Sequence, residues 1–143
     1  MPMSFQVVMD SSDPHGLADW WAETLGWEVE EQDEAFIRSM VEQGHATDAD
    51  TTTHRDRLVW RTGAAVNHPD PDRAVRLLFQ LVPEPKTVKN RVHLDLRPVA
   101  GEPAPTVDDL VARGAAVVGS GREGPHTWTV LTDPEGNEVC LPG

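Results

Sequence analysis

The chain is poor in cysteine, in basic side chains and in long apolar runs, and each shortage closes off a class of protein. A single cysteine, Cys140, excludes any disulfide within the chain. Lys and Arg number 12 against 24 Asp and Glu, a net charge of −12, so the surface repels phosphate backbones and anionic lipid. Nucleic acid and membrane surfaces are therefore not expected as partners. No stretch near the N-terminus joins a basic patch, a long apolar run and a small-residue cleavage site, and the expectation is a cytoplasmic protein. At 143 residues the chain suffices for one domain, or two small fused modules, with its own buried core.

What is present is a succession of short elements with clear punctuation. Phe5 to Asp10 reads as a strand, and Asp13-Pro14 then supplies an N-cap followed by proline at the first helical position. Leu17, Trp21, Thr24 and Leu25 fall on one side of that helix, Asp19 and Glu23 on the other, and Gly26 closes it. Of Trp20 and Trp21, core is the default for both. Trp27 to Glu31 reads as a second strand, and Glu34 to Gln43 regains helical spacing through Phe36, Ile37, Met40 and Val41, with Gly44 as its stop. His45 to Arg57 has no apolar period and reads as a loop. Leu58 to Asn67 and Val75 to Val82 follow as adjacent antiparallel strands.

Pro83-Glu84-Pro85-Lys86 resists regular structure and separates two halves. The second half offers a strand over Arg91 to Arg97, a helix capped by Thr106 and stopped by Gly114, and strands over Ala115 to Gly119, Thr127 to Thr132 and Asn137 to Leu141. The order β-α-β-β-β therefore occurs twice, once with an inserted helix and loop over residues 33–57.

Two segments, Lys89-Asn90-Arg91-Val92-His93-Leu94-Asp95-Leu96 and Asp133-Pro134-Glu135-Gly136-Asn137-Glu138-Val139-Cys140-Leu141, resemble the signature of glyoxalase-like proteins of the vicinal oxygen chelate superfamily. The resemblance implies an α+β fold in which two βαβββ modules, residues 1–85 and 90–143 of a single glyoxalase-like domain, form an open cup-shaped mixed sheet with helices on its convex face. It also implies a ligand in the cup and, in metal-dependent relatives, one metal ligand from each of four strands. Carried onto this sequence, those positions fall on Gln6, Gln80, His93 and Cys140.

Two neutral amides are feeble donors for Mn, Ni, Fe or Mg, so a strong metal site is not expected from that set. Cys140 and His93 suit zinc, but only if a carboxylate such as Glu138 or Asp95 joins them. No cofactor is expected. Strand alternation groups Gln6 with Val8, Leu78 with Gln80, Arg91 with His93 and Asp95, and Glu138 with Cys140, leaving Phe5, Val7, Met9, Phe79, Val92, Leu94, Val139 and Leu141 to face the helices.

A surface of amide, imidazole, carboxylate and thiol is how small-molecule sites are built, and it is also how a merely wet sheet face looks. His93 is the candidate general acid or base, tuned by Asp95 or Arg91, or else a histidine that only bonds a neighbour. Cys140 reads as a nucleophile only if a base activates it, and otherwise as a small inert hydrophobe. His45, His54, His68 and His126 read as solvated loop residues, with His54 beside Asp56 a candidate for the rim. The expected function is binding of a small organic molecule, compatible with a metal-independent lyase or isomerase. The alternative is a non-catalytic drug-binding protein similar to bleomycin-resistance proteins, in which a homodimer lines its crevice with aromatics such as Trp60 and Trp128.

Overall fold

A computed structural model describes residues 1–143 as two compact units, Met1–Pro85 and Lys86–Gly143. In the first, β1 (Val7–Ser11) leads into α1 (Pro14–Leu25), β2 (Glu28–Val29) and α2 (Glu34–Glu42). A hairpin of β3 (Thr51–His54) and β4 (Arg57–Trp60) follows, then β5 (Gly63–Asn67) and β6 (Arg76–Leu81). The second runs β7 (Leu94–Asp95), α3 (Val107–Ala112), β8 (Ala116–Glu123), β9 (His126–Thr132) and β10 (Glu138–Pro142). The fold class is α+β, and each unit holds a four-stranded mixed sheet.

The two sheets share one topology. Their orders are β1-β6-β5-β2 and β7-β10-β9-β8, so in each the first strand lies parallel to the last and the remaining neighbours are antiparallel. Parallel neighbours need a long crossover: in the second unit a helix and two strands supply it, and in the first the same helix and two sheet strands do so with α2 and the β3–β4 hairpin inserted between them.

Local chemistry accounts for the helices. The Asp13 carboxylate accepts from the Gly16 N–H, Pro14 opens the first turn, and Gly26 ends α1 at φ 67° in the left-handed region. Thr106 and Asp109 form a reciprocal capping box at α3. Inside the first unit α1 packs on β5 and β6 and buries Leu17, Ala18 and Trp21, while the sheet buries Val66, Leu77 and Phe79. Trp20 and Trp21 are both core, edge to face with centroids 5.3 Å apart. The second unit buries Leu110, Leu131, Val139 and Leu141.

Several expectations are corrected. The first strand starts at Val7, leaving Phe5 and Gln6 outside it and Phe5 89% exposed rather than facing a helix. The segment read as a loop over His45 to Arg57 contains β3, whose threonines pair with β4 across a turn in which Arg55 and Asp56 both have positive φ. Arg55 is not a favoured residue for that turn and no glycine follows Asp56, so the hairpin leaves no Asn-Gly or Asp-Gly mark in the sequence. The strand expected over Leu58 to Asn67 breaks into β4 and β5, that over Arg91 to Arg97 shrinks to Leu94–Asp95 with Val92 exposed, and β8 extends past Gly119 to Glu123. No helix is long and apolar enough to cross a membrane.

Asp13→Ala should cost about 1 kcal/mol, the usual worth of an N-cap. Urea unfolding checks it: the midpoint falls while the slope stays unchanged.

Candidate functional site

The polar face of the second unit starts from a turn. The Asp133 carboxylate is buried, and its Oδ1 accepts from the Glu135 and Asn137 N–H groups, both at 2.9 Å. The Asn137 side-chain amide donates to both carboxylate oxygens, at 3.1 and 2.9 Å, and the Asp133 N–H returns to the Asn137 carbonyl at 2.8 Å. Gly136 takes φ 92° to close the loop. β10 therefore leaves the turn with a fixed phase: Val139 and Leu141 are buried, Glu138 and Cys140 half-buried on the other side.

β10 pairs parallel with β7, Val139 opposite Leu94 and Cys140 opposite Asp95, and the Leu96 N–H donates to the Cys140 carbonyl at 2.9 Å. His93 and Asp95 therefore share a face with Cys140. His93 Nε2 lies 3.2 Å from Asp95 Oδ1, and the ligand atoms of His93, Asp95 and Cys140 all fall within 4.8 Å of one another. His93 and Asp95 are exposed to solvent. Burial pushes the Cys140 thiol up, and the Asp95 carboxylate bonded to it adds to the shift while Lys89 opposes it. A thiol in that setting stays protonated at neutral pH and is a poor nucleophile.

Glu138 lies on the same face but is already engaged. Lys86 Nζ donates to its Oε1 and the Asn90 N–H to its Oε2, both at 3.1 Å, while the Asn90 amide donates to the Asn137 side chain at 2.8 Å. Burial works against the charged form, yet Lys86 and the backbone N–H groups of Asn90 and Glu138 outweigh it and hold the carboxyl below its ordinary value. Trp128, half-buried on β9, lies opposite Gly121, where a Cβ would run into its indole ring.

The first unit spends its polar groups differently. Gln80 is exposed and opposite Asp10, whereas Gln6 accepts from Arg76 Nη1 at 3.1 Å. The register thus sets Gln6 four residues from the position beside Gln80, about 13 Å along the sheet, and does not bring the two amides together. Arg76 also clamps Glu30 through two bonds of 2.8 and 2.9 Å, and Asn67 donates to the same carboxylate. The Arg76 hydrogen bond is the main reason the Glu30 carboxyl sits low. Trp60 lies on the β3–β4 hairpin, where its carbonyl accepts from His15 Nε2 at 2.7 Å and its N–H donates to Gln32.

Two groupings escaped sequence reasoning. His54 and Arg55, on and beside the hairpin, reach Asp19 of α1 at 2.7 and 3.0 Å, and the His54 ring lies 5.3 Å from that of His15. His54 is therefore a packed member of a polar cluster rather than a solvated loop residue, and Asp19 faces it instead of open water. The Glu30–Asn67–Arg76–Gln6 cluster is the other. Partners from 35 to 70 residues apart carry no local spacing that signals either.

The four positions implied for a family metal do not fit one. Two are neutral amides that the register holds apart, and neither is a useful donor to a catalytic cation.

A family model described as a glyoxalase-like domain matches residues 6–142. No curated protein sequence matches the chain. Among solved structures, the fosfomycin resistance protein FosX of Mesorhizobium loti is similar with a TM-score of 0.60 at 6% identity, the match covering 99% of this chain and 91% of that one. The bleomycin-binding protein of Streptomyces verticillus, solved with copper(II)-bleomycin, has a TM-score of 0.50 at 18% identity, covering 99% and 97%. A glyoxalase/bleomycin resistance protein of Albidiferax ferrireducens T118 gives 0.50 at 14%, covering 96% and 94%. At such identities the likeness is one of fold.

Because the Glu138 carboxyl is held below its ordinary 4.5, it stabilises the fold above that pH, and the contribution is lost as pH falls through the lowered value. Glu138→Gln should cost about 1–2 kcal/mol at pH 7, and the gap from the parent should close as the solution is acidified below about 4.5. Denaturant melts across that pH series check it; a gap that persists at low pH would contradict the ion pair's role.

Proposed function

The chain belongs to the glyoxalase-like domain family, and on that premise we propose that it binds a small organic molecule on the polar face of its second unit. The observation that carries the reading is the convergence of His93, Asp95 and Cys140 on one side of the β7–β10 pair, with His93 and Asp95 open to solvent. An imidazole donates and accepts hydrogen bonds and a carboxylate accepts them from the hydroxyls of oxygen-rich molecules, and an imidazole can move a proton. His93 is the acid or base if the bound molecule reacts, as a lyase or isomerase substrate would. Asp95 at 3.2 Å orients its ring. Glu138 shapes the face through Lys86 and Asn90 rather than by touching the ligand.

A second reading, sequestration without chemistry by a homodimer, is favoured by the state of Cys140. A thiol held protonated by burial and by Asp95 does not supply covalent catalysis. The bleomycin-binding neighbour is the precedent in fold for that role.

A screen of small metabolites and drugs by thermal shift and tryptophan emission tests the proposal. A true ligand at about a hundredfold excess over its Kd stabilises by about 2.7 kcal/mol, several degrees of Tm. His93→Ala should abolish turnover of that ligand while leaving its affinity within about threefold, less than 1 kcal/mol. Equal loss of affinity, or no turnover in the parent, assigns the sequestration reading. A screen in which nothing binds overturns both.

A further inference from the structure

The β3–β4 hairpin is an addition that the first unit alone carries, and it rests against α1 through two imidazoles. His15, buried at the start of α1, meets the Trp60 carbonyl with its Nε2 at 2.7 Å. A carbonyl only accepts, so that nitrogen carries its hydrogen and Nδ1 is the position for a further proton. His54, half-buried on β3, meets Asp19 Oδ2 at 2.7 Å, and Arg55 Nε donates to the same oxygen at 3.0 Å. The two imidazole rings lie 5.3 Å apart, tilted by 30°.

We infer that the hairpin is a proton-operated latch, shut while His15 is neutral and released when His15 and His54 are both cations. The inference concerns the first unit and does not rest on the small-molecule reading.

Charge balance carries it, because one carboxylate serves the whole cluster. Arg55 is always cationic and already draws on Asp19. A proton on His54 adds a second cation, but one in contact with that carboxylate. A proton on His15 adds a third, buried, with its Nε2 on a carbonyl and no carboxylate bonded to it. The neighbouring charged groups are committed elsewhere or lie off the cluster. Asp13 accepts from the Gly16 N–H at the helix cap, Arg57 of β4 pairs with Glu31, and Glu34 of α2 accepts from Arg38 and from the Leu58 N–H. Glu23 follows one turn beyond Asp19 on α1, and Asp56 stands exposed in the hairpin turn. A buried cation without an anion is costly, and repulsion across the two rings adds to the cost. Opening relieves both by returning the rings to water, so the latch is shut in alkaline solution and opens on acidification.

Hydrogen exchange of the full chain, read amide by amide by NMR and corrected for the intrinsic rate, tests the latch at about pH 8 and about pH 5, which bracket the range where histidine side chains change charge. Protection across the β3–β4 ladder should fall by about tenfold on acidification, while the β5–β6 ladder keeps its own. His15→Gln, whose amide still donates to the Trp60 carbonyl but takes up no proton, should keep the hairpin protected at both pH values. Asp19→Asn should weaken protection at both. No fall in the parent, a fall that β5 and β6 share equally, a fall unchanged in His15→Gln, or a hairpin indifferent to the loss of Asp19 would each overturn the latch. Comparing the two ladders in the parent decides the matter even where a variant fails to fold.

Discussion

The buried carboxylate of Asp133 is the constraint from which the chemistry of the second unit descends. Taking a carboxylate out of water is costly unless several donors meet it, and here two backbone N–H groups and the Asn137 amide do so. Those bonds fix the number of residues between the end of β9 and the start of β10. In a strand whose side chains alternate, that count decides which residues face in. A slip of one would bury Glu138 and Cys140 and expose Val139 and Leu141. The turn thus sets the phase on which the convergence with His93 and Asp95 depends.

The two units repeat one topology and diverge in what they do with their polar groups. The first carries two additions, α2 and the β3–β4 hairpin, and its charged residues are largely satisfied among themselves: Asp19 by His54 and Arg55, Glu30 by Arg76 and Asn67. Such mutual pairing removes groups from the pool available to a ligand. The second has no such additions and leaves an imidazole and a carboxylate open to solvent beside a half-buried thiol. Equal topology has therefore produced one unit whose polar surface is internally committed and one whose surface is chemically available.

What the sequence makes legible is whatever depends on near neighbours. The Asp13-Pro14 start, the Gly26 stop, the Thr106 cap, the alternation of β10 and the order of elements all arise from residues within a turn or two of each other. The β3 hairpin is hidden because Arg55 and Asp56 adopt positive φ with no glycine to advertise the turn. The brevity of β7 was hidden too, since pairing length depends on the partner strand rather than on the segment itself. Register between distant strands lies furthest out of reach. The family resemblance implies one ligand set for Gln6 and Gln80, while the β1–β6 pairing sets Gln80 beside Asp10, and Gln6 accepts from Arg76.

The same limit explains the carboxylates. Parity puts Asp95 and Glu138 on one face with His93 and Cys140, and by parity alone the two acids are equivalent. Lys86, 52 residues before Glu138, breaks the tie by pairing with it at 3.1 Å, and Asn90 closes its other oxygen. With Glu138 neutralised, the field at the thiol comes from Asp95, which joins burial in keeping Cys140 protonated. A proline-bounded segment that carries no reactive group of its own therefore determines which acid the histidine and the cysteine meet. The chemistry of the face is decided as much by that segment as by the residues that would act.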